Sequence, residues 1–499
     1  MALIVALPLL YVLVRAFSSG LASYGETVWQ PRTARLAWQT ITLILGALTI
    51  AIPVALGAAW LVARTDLVAR RFWAVALALP IVFPSYVVAF ALVALFGPRG
   101  WLGSDRLGDW IYGYPGALIA LSLFTYPYLY LLLVPALRRI DPALEESAQL
   151  LGRARWRVIL PQLRAPIYAG SLLIVLYVIS DFGAVSLLRY DTLTLAVYHA
   201  YRSLFDRSVA AAMATVLIAL ALVVILIASL LQLRLRPASA AAARPVRRRS
   251  LGRAQWAVQA LLVSFAALTI VGPLSVILGW AFQALRAGNP LGEIGGAFLR
   301  SLFVALAAAV VASIAAFPVA LASARYRSTF SRIIERACYA GYALPGLIVA
   351  LSLVFASARH LPWLYQTTAL LILGYTVRFL PQSLAATRSA LDTVSTKYEE
   401  AGRVLGHGPT SVWRRITFPL IAPGMAAGAG LVFLTTMKEL PATLILRPTG
   451  FDTLATQVWA AADEGIFSQA ALPALALLLA SVLPVWWLTI RPALAERNE

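Results

Sequence analysis

The chain has 499 residues, of which 61% are hydrophobic and only 12% are charged. Soluble globular proteins have about 45–50% apolar and about 25% charged residues, so this composition excludes a soluble protein and indicates a membrane protein. The net charge of +20 does not indicate nucleic-acid binding, because the arginines gather in alternate loops between apolar segments instead of forming a basic stripe interleaved with aromatic residues.

Twelve apolar segments follow one another along the chain, and most are long enough to cross a bilayer. We predict membrane-spanning helices near residues 2–16, 40–63, 72–96, 115–137, 167–187, 209–232, 256–283, 300–324, 337–358, 366–388, 420–437 and 467–490. The first segment lacks the charged flank and the small-residue cleavage site of a signal peptide, so we interpret it as a span. The predicted fold class is all-α, a polytopic membrane protein with about 12 transmembrane helices.

The strongest break in this pattern is residues 233–255, which are rich in alanine, proline and arginine. Such a stretch is typical of a linker. It divides the chain into a first transmembrane domain, residues 1–232, and a second transmembrane domain, residues 256–499. Most of the 41 Lys and Arg residues lie in the linker and in loops on its side of the membrane, which predicts that these loops and both chain termini are cytoplasmic.

The two sides of the linker resemble each other. The residues PVAL at 53–56 recur at 318–321, and ALP at 78–80 recurs at 343–345, both 265 residues later. We interpret this as the duplication of a six-span unit. Because six is an even number, both copies have the same orientation in the membrane, and a transport pathway is expected at their interface.

Two predicted cytoplasmic loops share the pattern Glu-Glu-x-x-x-x-Leu-Gly, at residues 145–152 and 399–406. The pattern predicts a short amphipathic helix whose glutamates face away from its apolar side and whose closing glycine forms a left-handed cap. In the second loop, Pro409 suits the first turn of another short helix, which we expect to end at Pro419. The presence of two such loops, at equivalent places in a duplicated unit, favours their docking onto a partner with two-fold symmetry over their lying on lipid headgroups.

These loops resemble the EAA motif of binding-protein-dependent ABC transporter permeases, in which Glu-Ala-Ala is followed by a glycine and then by Leu-Pro. The second loop, residues 398–419, fits more closely than the first, residues 144–166. Eight residues separate Gly152 from Pro161, whereas twelve separate Gly406 from Pro419. The first loop is therefore expected to contribute less to docking. The resemblance implies that seven residues couple to an ATPase: Glu146, Ala148, Gly152, Glu400, Ala401, Gly406 and Pro419.

The resemblance covers essentially the whole chain and implies two tandem permease domains of type I (MetI-like) architecture in a bacterial inner (plasma) membrane. It also implies two partners, a pair of cytoplasmic ATPase subunits and a periplasmic solute-binding protein. The chain has no G-x-x-x-x-G-K-[ST] phosphate-binding loop. We therefore expect no enzyme activity and no cofactor in this chain, with ATP and Mg bound by the ATPase partner.

Two further segments, residues 180–192 and 437–456, resemble the fused iron(III) permeases of this superfamily. The resemblance implies that iron(III) is carried by alternating access. Thiamine, phosphonate or polyamine transport by the same architecture stays an open alternative. An ion-driven secondary carrier is a different class, which would share the duplicated halves but would have no reason to carry two docking loops.

Three charged residues lie at matching places at the outer ends of the fifth and eleventh spans: Asp181, Lys438 and Glu439. Ionisable groups at membrane depth are costly, so these residues either gate a pathway or lock helices together. We expect Arg378, at the end of the tenth span, to extend to the cytoplasmic interface. The three histidines have no metal-binding spacing, and no metal site is assigned.

Overall fold

A computed structural model describes residues 2–18, 20–98, 100–103, 105–152, 154–202, 207–233, 249–288, 291–326, 328–342 and 344–485. Within these ranges the chain is folded into α-helices with short 3₁₀ and π turns, and its isolated bridge joins Thr65 to Arg249. The predicted all-α fold class is confirmed.

The first half of the described chain ends at residue 233. Its α-helices are α1 (Ala2–Phe17), α2 (Leu21–Val28), α3 (Pro31–Arg64), α4 (Arg70–Ala76), α5 (Ser85–Phe96), α6 (Asp105–Trp110), α7 (Tyr114–Arg139), α8 (Pro142–Leu150), α9 (Trp156–Ser180), α10 (Gly183–Leu187), α11 (Leu193–Arg202) and α12 (Arg207–Leu233). A 3₁₀ turn, Leu79–Val82, lies between α4 and α5.

The second half begins at residue 249. Its α-helices are α13 (Ala254–Ala266), α14 (Gly272–Arg286), α15 (Leu291–Arg325), α16 (Thr329–Tyr342), α17 (Gly346–His360), α18 (Thr368–Thr393), α19 (Thr396–Val404), α20 (Pro409–Val412), α21 (Phe418–Met437), α22 (Pro441–Leu446), α23 (Leu454–Asp463) and α24 (Phe467–Val485). The π turns Ala267–Val271 and Trp413–Thr417 connect α13 to α14 and α20 to α21.

Most of the predicted spans have helices of the required length and composition. In the described residues, eight helical segments are long and apolar enough to cross a membrane, and the bent pair Arg70–Val82 and Ser85–Phe96, which meets at 95°, adds a ninth. The other three predicted spans contain the shorter helices α1, α17 and α24. The bend falls at Pro84, which precedes the first residue of α5 and adopts an extended conformation.

Each half contains a compact group of long helices. Helices α3, α7 and α9 pack together in the first half, and α15, α18 and α21 pack in the same way in the second. The first span of each half reaches across to the other, because α1 packs against α16 and α17 while α14 packs against α5. The two halves therefore interlock, and α5, which is buried along residues 85–94, lies where they meet.

Equivalent contacts in the two halves define the register of the duplication. The Leu193 amide donates to Thr40 Oγ1 at 3.1 Å, and the Leu454 amide donates to Ser301 Oγ at 2.8 Å. Both residues of the second contact lie 261 positions after those of the first. The offset of 265 between the recurring sequences therefore does not relate equivalent positions of α3 and α15, whose equivalent contact residues lie 261 positions apart.

The predicted linker is described only at its ends, since residues 234–248 lie outside the described ranges. At its second end, the Arg249 amide donates to the Arg64 carbonyl at 2.9 Å, and the Asp66 amide donates to the Arg249 carbonyl at 3.1 Å. Arg64 also contacts α8, as described below. The linker therefore returns to the end of the molecule that carries α8 and, by duplication, α19; we call this the α8/α19 end.

Candidate coupling and translocation site

The two predicted amphipathic helices of the Glu-Glu-x-x-x-x-Leu-Gly pattern are α8 and α19, which we call the EAA-like helices. Each has nine residues and begins at a capping side chain: Asp141 accepts from the Ala143 amide at 3.0 Å, and Ser395 accepts from the Lys397 amide at 3.3 Å. Gly152 and Gly406 follow them with φ of 66° and 83°. The predicted left-handed glycine cap is confirmed in both copies.

The far ends of the EAA-like helices present apolar side chains outward. Leu150 and Leu151 are 89% and 74% exposed, and Val404 and Leu405 are 87% and 77% exposed. Isolated leucines on a surface need no explanation, but equivalent apolar pairs at the tips of two duplicated helices make these tips candidate contact surfaces.

The predicted coupling residues occupy different positions on these helices. Glu146 and Glu400 are exposed, whereas Ala148 is buried and Ala401 is exposed. In the second copy the buried position corresponding to Ala148 is Gly402, where an added Cβ would lie 2.7 Å from the Ile416 side chain. The two helices thus pack against the following segment through the same face.

The prediction that the glutamates face away from the apolar, packed side of each helix is wrong for the first glutamate of each pattern. Glu145 Oε1 lies 2.8 Å from Arg64 Nη1, and Glu399 Oε1 lies 2.9 Å from Arg325 Nη2. Consecutive helix residues point about 100° apart, so when the second glutamate faces solvent, the first faces the arginine at the end of the long helix.

The predicted end of a separate helix at Pro419 is also wrong. Pro409 does occupy the first turn of α20, as predicted, but Pro419 lies in the first turn of α21, after a π turn that joins the two helices. Proline is tolerated in a first helical turn because its missing N–H has no intrahelical partner there. In the first copy, α9 begins directly at Trp156.

Asp181 and Glu439 occupy equivalent places after α9 and α21. Asp181 Oδ1 accepts from the Ala184 amide at 3.0 Å, and Glu439 Oε1 accepts from the Ala442 amide at 3.2 Å. Each carboxylate therefore caps the short helix that follows, α10 or α22, and satisfies amides that have no intrahelical partner. Both side chains are buried.

Glu439 has a second partner that the sequence did not indicate. Arg378 Nη1 donates to Glu439 Oε1 at 2.8 Å, so Arg378 does not reach the cytoplasmic interface as predicted, and Glu439 does not pair with Lys438. The guanidinium occupies the space beside Gly346, where any Cβ would collide with Arg378 Nη1. A larger residue at this position would displace the guanidinium from its place beside Glu439.

Lys438 bonds across the interface of the halves. Its Nζ donates to the Ile81 carbonyl at 2.9 Å. This carbonyl belongs to the 3₁₀ turn before α5, where the last carbonyls have no intrahelical partner. Nearby, Trp459 Nε1 donates to Ser186 Oγ at 3.0 Å, again joining the second half to the first. Lys438 thus belongs to the contact between the halves.

A cavity of about 240 Å³ lies between the halves, at the end opposite the EAA-like helices. Its lining includes Tyr201 and Arg202 from the first half and Gln366, Arg447 and Thr449 from the second. Burial lowers the pKa of the Arg447 guanidinium, and the positive charge of Arg202 lowers it further. Among the described residues, no three His, Cys, Asp or Glu side chains come together as a metal site.

Sequence reasoning missed Arg64 and Arg325 as partners of the EAA-like helices. A signal was present, since each arginine ends the long helix of its half and each lies 261 positions from its counterpart. From the sequence, the two arginines are interpreted only as part of the positive charge of the cytoplasmic loops. Their pairing with particular glutamates depends on where α3 and α15 end in space relative to α8 and α19.

These features together define a class of protein. Two interlocked halves of membrane-spanning helices, each with a short exposed helix at one end and buried charges where the halves meet, are the architecture of a transport permease. Sequence comparison identifies which permeases. Residues 3–238 and 308–490 match the family described as binding-protein-dependent transport system inner membrane component. The chain belongs to this family, whose members are membrane subunits of ABC importers and not enzymes.

Known relatives match the chain over different lengths. It is 32% identical to the Fe(3+)-transport system permease protein FbpB 2 of Haemophilus influenzae over 97% of this chain and 95% of the relative. It is 29% identical to the sulfate transport system permease protein CysW of Synechocystis over 43% of this chain. It is 31% identical to the molybdenum transport system permease protein ModB of Escherichia coli over 30% of this chain.

Proposed function

We propose that this chain forms the translocation pathway of an ATP-driven importer for iron(III). The observation that carries this proposal is the match to an iron(III) permease along both halves, 97% of the chain. The sulfate and molybdenum permeases match less than half of it. A relative that matches both halves supports an assignment of the cargo better than one that matches a single half, because in this proposal the pathway lies between the halves.

Uptake measurements test the cargo. A strain lacking this gene, grown under iron limitation, is expected to lose most uptake of radiolabelled iron(III) citrate and to regain it when the gene is restored. Uptake of sulfate and molybdate is expected to stay unchanged in the same strain. Normal iron uptake with a selective loss of either oxyanion, or of thiamine, phosphonate or polyamine, would contradict the iron assignment.

The EAA-like helices are the proposed docking sites for two ATPase subunits. The apolar tips and the exposed Glu146 and Glu400 would meet the ATPases, and Gly152 and Gly406 would hold the tips in place. Ala148, Ala401 and Pro419 would shape the helices and the segment that follows. In this proposal the α8/α19 end and both chain termini are cytoplasmic, the membrane is the inner membrane, and a solute-binding protein docks at the opposite end.

Alternating access requires the two halves to separate at one end and then at the other. The bond from Lys438 Nζ to the Ile81 carbonyl, 2.9 Å long, joins the halves in the conformation described here. Any state in which these elements move apart must break it. We therefore assign Lys438 to the gate, while Asp181 and Glu439 border the same interface.

The variant Lys438→Met keeps the length of the side chain and removes the donor. A hydrogen bond to a charged group contributes about 1.5–3 kcal/mol, so the joined state should lose about ten- to a hundredfold in relative population. The measurable result is basal ATP hydrolysis by the complex that rises several-fold without binding protein. The matched control Lys438→Arg retains a donor and should behave nearly as wild type. Unchanged basal hydrolysis in Lys438→Met would remove Lys438 from the gate.

A further inference from the structure

In each half, one arginine fastens the EAA-like helix to the longest helix. Arg64, the last residue of α3, lies 2.8 Å from Glu145 and is 4% exposed. Arg325, the last residue of α15, lies 2.9 Å from Glu399 and is 14% exposed. Because both pairs are largely shielded from water, they are screened by salt much less than surface ion pairs.

Each arginine also binds the helix that precedes the EAA-like helix. Arg64 Nη2 donates to the Ile140 carbonyl at 3.4 Å, and Arg325 Nη2 donates to the Val394 carbonyl at 3.2 Å. Ile140 and Val394 are the C-terminal caps of α7 and α18, where free carbonyls carry partial negative charge. One guanidinium, with five donors in a rigid fork, thus joins three helices in each half.

The second pair is the more fully bonded of the two. Arg325 donates to Glu399 Oε1 from Nε at 3.2 Å and from Nη2 at 2.9 Å, and Thr417 Oγ1 donates to the same oxygen at 3.3 Å. The contact of Arg64 with Glu145 is a single ion pair. The second half therefore holds its EAA-like helix through more hydrogen bonds. Breaking the contact between Arg325 and Glu399 should have the larger effect of the two.

The long helices have a duplicated contact at their other end as well. Thr40 in α3 accepts from the Leu193 amide at the start of α11, and Ser301 in α15 accepts from the Leu454 amide at the start of α23. In each helix, 24 positions separate the two contact residues, at most about 36 Å at 1.5 Å per residue, and one proline, Pro53 or Pro318, lies between them. The same helix thus touches the EAA-like helix at one end and a short helix at the opposite end of the molecule.

We infer that α3 and α15 are continuous helical links that carry displacement of the EAA-like helices to α11 and α23, and that Arg64, Glu145, Arg325 and Glu399 are the positioning residues that engage these links. The inference rests on the proposed docking of ATPases to α8 and α19. It assigns separate roles to adjacent glutamates: Glu146 and Glu400 face the ATPase, while Glu145 and Glu399 pass its motion into the membrane helices. The direct consequence is that Glu399 can be removed without removing the ATPase.

The experiment uses the complete complex with its ATPase subunits in lipid nanodiscs. A fluorophore is attached to Asp463→Cys, an exposed position at the end of α23, after the buried Cys338 is replaced by alanine. Adding ATP should change the fluorescence of the wild-type background. In the double variant Arg325→Met with Glu399→Met, which breaks the contact and leaves neither charge unpaired, the change should fall at least tenfold, although the ATPase co-purifies at normal yield and hydrolyses ATP.

A matched control is available at the same end of the same half. Arg388 in α18 lies 3.2 Å from Glu335 in α16 and 3.1 Å from Asp392, without touching α19. The double variant Arg388→Met with Glu335→Met removes an ion pair of comparable burial and should leave the ATP-dependent signal unchanged. Arg325→Met, Glu399→Met and their double variant should lose the signal equally, because all three break the same contact.

The outcomes separate the inference from the proposed function. Failure of the ATPase to co-purify with the wild-type chain would overturn the docking proposal. With the ATPase bound, three results would each overturn the proposed role of α3 and α15: an absent wild-type signal at position 463, a normal signal in the Arg325→Met, Glu399→Met variant, or equal losses in that variant and in the Arg388→Met, Glu335→Met control. If the Arg325→Met, Glu399→Met variant fails to assemble, Arg325→Lys replaces it, since lysine keeps the charge but lacks the fork that joins three helices.

Discussion

Replacing Glu439 by alanine is expected to remove most of the folded protein from the membrane, and not merely to slow transport. The substitution leaves the half-buried Arg378 without its carboxylate partner, which now lies 2.8 Å away. Breaking a buried ion pair by removing one member costs about 3–5 kcal/mol, a large share of the about 5–15 kcal/mol that stabilises a typical protein. The measurement is the melting temperature and yield of the detergent-purified chain.

Two further variants sharpen this prediction. Glu439→Gln keeps an oxygen that can accept from Arg378 and from the Ala442 amide, so its loss of stability should be smaller. The double variant Arg378→Met with Glu439→Met removes both charges and should recover much of the stability lost in Glu439→Ala. A stable Glu439→Ala protein that is inactive in iron uptake would contradict a structural role for the Arg378–Glu439 ion pair and would favour a direct role of Glu439 in the pathway.

Asp181 is the appropriate comparison, because it caps a short helix in the same way without an arginine among its contacts. Its partners are the Ala184 and Val185 amides, with Ser85 and Tyr177 beside it. In Asp181→Asn the amide oxygen can still accept from both amides, so stability should change little. Reduced iron uptake by this stable variant would identify Asp181 as a pathway residue, and normal uptake would leave it a helix cap.

Replacing Glu400 by lysine is expected to abolish transport by weakening the binding of the ATPase. Glu400 is exposed on α19, and an acidic position in a docking surface should face polar or basic groups on the partner. Placing like charges opposite each other at an interface costs several kcal/mol, which corresponds to at least a tenfold loss of affinity. Co-purification of the ATPase with the tagged permease measures this effect.

The structure supplies controls for the charge reversal. Glu146→Lys changes the equivalent position on α8 and should have a milder effect, because α8 lacks the helical extension that α20 provides after α19. Glu464→Lys reverses an exposed acid beyond α23, at the opposite end of the molecule, and should leave ATPase binding unchanged. Normal ATPase yield with Glu400→Lys would show that α19 is not the docking site.

Local features of the sequence were sufficient for the fold class and for the EAA-like helices. Hydropathy determines which segments enter a bilayer. Each backbone amide there must be satisfied within its own helix, so these segments are helical. The capping residues Asp141 and Ser395 and the closing glycines Gly152 and Gly406 act within one turn of the chain. Such features are readable without knowledge of any distant contact.

Only the tertiary structure decided which charged groups meet. Glu145 and Glu146 are adjacent and chemically identical, and their surroundings differ because Arg64 at the end of α3 lies beside Glu145, whereas Glu146 is exposed. Arg378 and Glu439 are 61 positions apart, and no periodicity connects them. The crossing of α1 and α14 to the opposite halves is likewise a property of packing, because an apolar helix surface fits many partners equally well until shape and a few hydrogen bonds select one.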